Sequence, residues 1–259
     1  MDQKQYMRPL ELAGRLIMEN GGETYRVEET VNRMGAAFGL KGVESFAVPS
    51  GIFLSFECDD GSTETAVLRV HRGDTDLERV DEVNRISRQV EAGELNCEEA
   101  LEALEEIAGE NRIQSPALRM AAAAVCSGGF AVMFGGTWKD FLFSSLLGLF
   151  IEGITELLRR HHLQSMVSLL FGSFLATLIP ICVSALLPGL SLVTEAIIAG
   201  ALMPMLPGLA MTNAVSDTMR GDLMSGISHF AEAVLTAALV AGGALVAAAQ
   251  FRVMGGMIR

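Results

Sequence analysis

The chain lacks most of what a soluble catalyst would need. Its four cysteines, Cys58, Cys97, Cys126 and Cys182, stand far apart with no CxxC pair and no Cys/His cluster. That excludes a zinc site or a disulfide framework as an organising element. There is no GxSxG elbow, no Gly-rich phosphate loop and no metal-spaced carboxylate group, so neither direct use of ATP nor a metal centre is indicated, and no cofactor is expected. Basic charge is scarce: 19 Lys+Arg face 31 Asp+Glu, a net of -12. The clustered cations that a nucleic-acid partner requires are missing. The first residues, Met1 to Pro9, are polar and no apolar run follows them. The sequence therefore predicts no cleavable leader and an amino-terminal region that stays in the cytoplasm.

What is present is unevenly distributed. Residues 1 to 115 carry 12 Lys+Arg and 24 Asp+Glu, the whole net of -12, while residues 116 to 259 carry 7 and 7 and are neutral. The second part combines low charge density with long runs of Ala, Leu, Gly, Met and Val, the pattern of a segment whose solvent is lipid. The expected organisation is a soluble acidic α+β domain over 1–115 followed by an all-α polytopic membrane domain over 116–259.

In the first part, Leu10 to Asn20 and Glu23 to Phe38 read as helices separated by Gly21-Gly22. Val43 to Val48, Ile52 to Cys58 and Glu64 to Val70 read as strands of a small antiparallel sheet, with Asp59-Asp60-Gly61-Ser62 as a hairpin turn. Asp76 to Glu91 and Cys97 to Gly109 read as two further helices. Ser50, between Pro49 and Gly51, and His71 are the only nucleophile and base worth weighing here. They support an alternative, a membrane-anchored hydrolase or sensor with its activity in this domain. A turn serine and a surface histidine explain both residues more simply.

In the second part about five spans are expected. The uncharged run between Arg119 and Lys139, which includes Trp138, gives the first, and Phe141 to Leu158 the second, closed by Arg159, Arg160, His161 and His162. Leu163 to Thr194 gives the third, with Pro180 inside it. Ala196 to Met211 gives a fourth that Pro204, Pro207 and Gly208 should break, because proline removes a backbone donor and crowds the preceding turn. Asp222 to Phe251 gives the fifth. With the amino terminus inside, Arg112, Arg119, Arg159, Arg160 and Arg220 fall inside and Lys139, Arg252 and Arg259 outside. If the fourth segment re-enters from one side instead, Arg252 and Arg259 move inside and Arg220 outside, so both topologies stay open.

Two stretches carry a resemblance: Gly21 to Thr30, GGETYRVEET, and Pro207 to Gly226, PGLAMTNAVSDTMRGDLMSG. Both are similar to the threonine/serine exporter family, as is the order of soluble domain and membrane helices. The resemblance implies an exporter of small hydrophilic metabolites in the inner (plasma) membrane, threonine and serine for some members and dicarboxylates such as succinate for others. Some members carry about ten helices in one chain and others are split, so for this chain the resemblance implies a second, smaller polytopic membrane protein as partner. A homo-oligomer stays open as well. An odd span count would let the partner's helices run in inverted orientation.

The break at Pro204 to Gly208 marks the expected binding site, because a discontinuous helix frees backbone groups for a polar solute. Pro207, Gly208, Thr212, Asn213, Asp217 and Ser225 are the candidate substrate-binding residues, with Thr212 or Asn213 expected to cap the restarting helix. Asn213, Asp217, Gly221 and Ser225 recur every four residues and would form one stripe on a continuous helix. The simpler reading makes Ser216 to Asp222 a solvated turn with Asp217 and Arg220 as a surface ion pair. Glu156 precedes Arg159 and Arg160 by three and four residues, a structural spacing. Glu152, one turn deeper with no basic residue four on, is a candidate proton carrier, as are His229 and Glu232 in the last span. The pairs Gly128-Gly129, Gly135-Gly136 and Gly242-Gly243 are expected to permit close helix approach.

Overall fold

A computed structural model of the chain describes residues 3–71, 73, 75–110, 115–160 and 165–257. Arg112, His161, His162 and Arg259, used above for topology and span ends, lie outside the described residues. The chain packs as two compact units, Met1–Arg112 with Ala210–Phe230, and Ile113–Leu209 with Ala231–Arg259.

In the first unit, α1 (Met7–Glu19) and α2 (Thr24–Ala37) are separated at Gly21-Gly22, where Gly21 takes a φ of 84° that a side chain would resist. The strands β1 (Lys41–Val48), β2 (Gly51–Glu57) and β3 (Thr63–Arg69) form an antiparallel sheet in sequence order. Val48 pairs with Gly51, so Pro49 and Ser50 are the turn between β1 and β2. In the next turn the Asp60 carboxylate accepts both the N–H and the hydroxyl of Ser62, and Gly61 supplies a φ of 80°. Strand alternation decides the core: Ile52, Leu54 and Phe56 point inward and are buried, while Phe53 points outward beside Phe46. The inward set packs on Leu10, Ile17, Val27, Val31 and Met34 of α1 and α2, and the same core takes in Val83 of α3 (Leu77–Glu91) and Leu104 of α4 (Cys97–Gly109). Asn96 and Glu99 close a reciprocal capping box at the start of α4.

The second unit is built from α5 (Pro116–Met133), α6 (Trp138–Arg160), α7 (Ser165–Leu186), α8 (Thr194–Leu202) and, from Ala231 on, the last helix of the chain. The fourth expected span is a bent pair, α8 and α9 (Gly208–Arg220), interrupted by a 3-10 turn at Met203–Met205 and an extended Leu206. Pro204 and Pro207 withhold the donors that would carry a helix through. Pro180, by contrast, sits inside α7 without ending it. The last helix, α10 (Leu223–Met257), is continuous. Among the described residues four helices are long and apolar enough to cross a bilayer, and the bent pair makes up to five. At most 33% of the most apolar stretch of any of the four is buried, so most of this apolar surface faces outward, as it must in lipid.

Close helix approach is selective. A Cβ at Gly128 would run into Ser145 and Phe141 of α6, and one at Gly243 would run into Ser173 and the Leu170 carbonyl of α7. Gly129, Gly135 and Gly242 face open space. Each glycine pair thus contributes at most one packing residue.

Candidate functional site

Within the first unit, α9 and the opening of α10 carry a buried polar cluster. Asp217 is fully buried, and its Oδ2 lies 3.0 Å from Nδ1 of His229, itself 2% exposed. Asn213, one turn before Asp217 on the same face of α9, is 3% exposed. Asp217 Oδ1 and Asn213 Nδ2 are buried and have no hydrogen-bond partner. A buried polar atom left unpaired costs roughly 1–3 kcal/mol, so two side by side mark a place where stability yields to something else. The reading of Asp217 as a surface ion pair with Arg220 does not survive. Asp217 is inaccessible, and the Arg220 guanidinium stacks 3.5 Å from the centre of the Tyr25 ring.

The four-residue stripe is interrupted. Gly221 takes a φ of 90° and ends α9, and the Asp222 carboxylate accepts the Ser225 N–H at 3.2 Å at the start of α10. Asn213 and Asp217 therefore share one helix face while Ser225 belongs to the next helix. Ser225 is buried and its hydroxyl donates to the Ala47 carbonyl at 3.4 Å. Thr212 and Asn213 do not cap α9, which opens at Gly208 directly after Pro207, the place where a missing N–H is harmless. Both lie past its first turn.

The cluster also contains residues that the sequence reading passed over. Thr24 of α2 donates to Asp222 Oδ2 at 3.2 Å, and Glu28 of α2 accepts the Ala47 N–H at 2.9 Å. Burial, and after it the carboxylates of Asp222 and Asp217, push the Glu28 carboxyl above its ordinary value, against the opposing Ala47 N–H. The two stretches that carry the resemblance therefore meet in space. That was the available signal for Glu28, which otherwise looks like one more charge on a polar helix face.

Glu152 lies in the second unit. It lines a cavity of about 260 Å³ with Thr155, Arg159, Ser168, Leu169, Pro204 and Met205. Its partner comes from another helix: Nη2 of Arg119 on α5 is 3.4 Å from Glu152 and 2.7 Å from Glu156. Glu156 also pairs with Arg159 and Arg160 at 3.7 and 3.2 Å, as its spacing implied. Nearby in sequence, Asp140 is fully buried; it accepts the N–H and hydroxyl of Thr137, and the Val193 N–H just before α8. Pro207 and Gly208 mark the break between α8 and α9, and Glu232 is exposed on α10. Ser50 has its carbonyl engaged by the Val70 N–H, and His71 is exposed. Among the described residues no group of three or more His, Cys, Asp or Glu could hold a metal ion.

Helices of membrane-crossing length and one bent helix pair in a chain that also carries a small α+β fold and a buried polar cluster define a multi-pass membrane protein of the transporter type. Residues 10–251 match the family described as "Putative threonine/serine exporter", and the chain belongs to that family. It is similar to the "Probable threonine/serine exporter" of Mycobacterium tuberculosis, 24% identical over 88% of this chain and 43% of that protein. It is 30% identical to the "Threonine/serine exporter" of Corynebacterium glutamicum over 65% of this chain and 35% of that one. Against the "Probable succinate transporter subunit YjjP" of Escherichia coli it is 24% identical, with 90% of each chain covered. The chain thus spans less than half the length of the two exporters and nearly all of the succinate transporter subunit. No solved structure matches it. Members of this family are transporters, not enzymes, which removes the hydrolase reading of Ser50 and His71.

Proposed function

We propose that this chain is a subunit of a secondary active exporter of small hydrophilic metabolites, threonine and serine or dicarboxylates such as succinate, across the inner membrane. Residues 1–115 form its cytoplasmic domain and residues 116–259 its membrane domain. A second, smaller polytopic membrane protein completes it. The coverage of the succinate transporter subunit over nearly its whole length supports the split form.

One observation carries the site assignment: the buried Asp217–His229 pair beside Asn213, with an acceptor on Asp217 and a donor on Asn213 left without partners. A hydrophilic solute that carries a carboxylate and a donor can satisfy both, and release of the solute leaves both unpaired, so binding energy is available to shift a conformational equilibrium. Thr212 and Ser225 belong to the same segment as that site, and Pro207 and Gly208 are retained as candidate substrate-binding residues at the helix break. Glu152, His229 and Glu232 are the groups proposed to carry protons between the two sides.

The test is efflux of labelled threonine, serine and succinate from proteoliposomes holding the chain alone or with its small partner. Movement of at least one solute, requiring the partner, is expected; no movement of any of them defeats the proposal. Asp217→Asn and Asn213→Ala are expected to lower the rate at least tenfold while inserting normally, and wild-type rates in both would remove the site assignment.

A further inference from the structure

Glu28 has no role in the reading above, yet it belongs to the same cluster. Thr24, Tyr25 and Glu28 stand at spacings of one and four on one side of α2, and each engages the α9–α10 region or its direct support. Thr24 bonds Asp222, Tyr25 carries the Arg220 guanidinium on its ring, and Glu28 accepts the N–H of Ala47, the residue whose carbonyl receives the Ser225 hydroxyl. Three carboxylates, Glu28, Asp217 and Asp222, are thus brought near one another.

Among the described residues two basic side chains border this group. His229 on α10 lies against Asp217, and Arg220 at the end of α9 is spread over the Tyr25 ring. From β1 the Ala47 N–H donates to the Glu28 carboxylate, while the Ser45 hydroxyl donates to the Glu28 backbone carbonyl at 3.5 Å. Burial and the neighbouring carboxylates both disfavour the charged form of Glu28, and one backbone N–H is the donor set against them. Asp217 has His229, and Asp222 has the Thr24 hydroxyl and the Ser225 N–H. Glu28 has one backbone donor and two like charges nearby. The independent sign that the pocket serves a ligand is the pair of unpartnered atoms, Asp217 Oδ1 and Asn213 Nδ2, both sealed from solvent.

We infer that Glu28 is a proton-binding residue of the Asp217–His229 site, through which the GGETYRVEET helix of the acidic domain takes a direct part in coupling. The inference rests on the secondary-exporter reading and adds to it a residue and a role for the amino-terminal motif. Burial and the two neighbouring aspartates hold the Glu28 proton above the ordinary carboxyl range. The neutral form is therefore present at low pH and persists as pH rises past the value for a free glutamate. Ionisation at higher pH places a third negative charge beside Asp217 and Asp222 and opposes the packing of α2 on the turn. Proton binding and release at one carboxylate then favour two different arrangements of the site.

The experiment compares gradient-driven efflux with solute exchange in proteoliposomes containing the full chain and its partner. Exchange needs no net proton movement, whereas gradient-driven efflux does. Glu28→Gln, which keeps an acceptor for the Ala47 N–H but cannot titrate, is expected to retain exchange within twofold of wild type and to lose at least tenfold in efflux driven by a pH difference. Retention of both activities, or loss of both by protein that remains monodisperse in detergent, overturns the inference. If Glu28→Gln does not accumulate, Glu28→Asp serves in its place; a displaced pH profile of gradient-driven efflux is expected, and an unmoved profile overturns the inference. Wild-type protein that shows exchange and efflux with no response to a pH difference would instead sink the proton-coupled reading itself, whatever the variants do.

Discussion

Side chains that look alike in the sequence have different fates once their partners are placed. Glu152 and Glu156 sit one turn apart on α6, and spacing alone assigned a partner only to the second. Arg119, more than thirty residues earlier, reaches both. A carboxylate in a span that shares an arginine can be a structural partner or a proton carrier, and the two roles separate experimentally. Glu152→Gln is expected to flatten the pH dependence of transport measured between pH 5.5 and 8. An unchanged profile with reduced protein yield would leave Glu152 as a structural companion of Arg119. Asp217 was legible because a polar residue recurring every four positions in an apolar chain demands a reason. Glu28 was not, since its neighbours Asp217 and Asp222 lie some 190 residues away and no periodicity reports a contact of that separation.

Elements were easier to read than contacts, for identifiable reasons. The strands β1 to β3 are bounded by Pro49-Ser50 and by Asp59 to Ser62, whose turn chemistry is local and needs no tertiary information. The start of α4 is equally local: Asn96 followed by Glu99 satisfies two orphan donors reciprocally. Asn96→Ala is expected to destabilise the first unit by about 1 kcal/mol, read as a lower thermal midpoint with transport unaltered below it. The break in the fourth span followed from two prolines. The four-residue stripe was conditional on a continuous helix; the positive φ of Gly221 and the Asp222 cap divide it, next to Asp222 where the fifth span was expected to begin. The glycine pairs illustrate the same limit: sequence shows that a Cβ is missing, and only the neighbouring helix shows whether its absence matters.

At the scale of the whole chain, the partition of charge led to the expectation of a water-facing part and a lipid-facing part, but arginine counts left the topology open between five spans and four with a re-entrant segment. Two exposed positions resolve it. In a variant lacking native cysteines, Glu105→Cys and Arg252→Cys are labelled separately with a membrane-impermeant thiol reagent in right-side-out and inverted vesicles. Labelling of Glu105→Cys only in inverted vesicles is expected for a cytoplasmic acidic domain. Labelling of Arg252→Cys only in right-side-out vesicles is expected for five spans, and the opposite outcome identifies the re-entrant arrangement. The length of α10 has its own consequence. Thirty-five helical residues extend about 52 Å at about 1.5 Å each, well beyond the roughly 30 Å of hydrocarbon in a typical bilayer. The surplus must be absorbed by inclination or by protrusion into the headgroups, and either response depends on acyl-chain length. Membrane thickness is therefore a setting for this protein: fourteen-carbon and twenty-two-carbon lipids would hold the same rod at different angles.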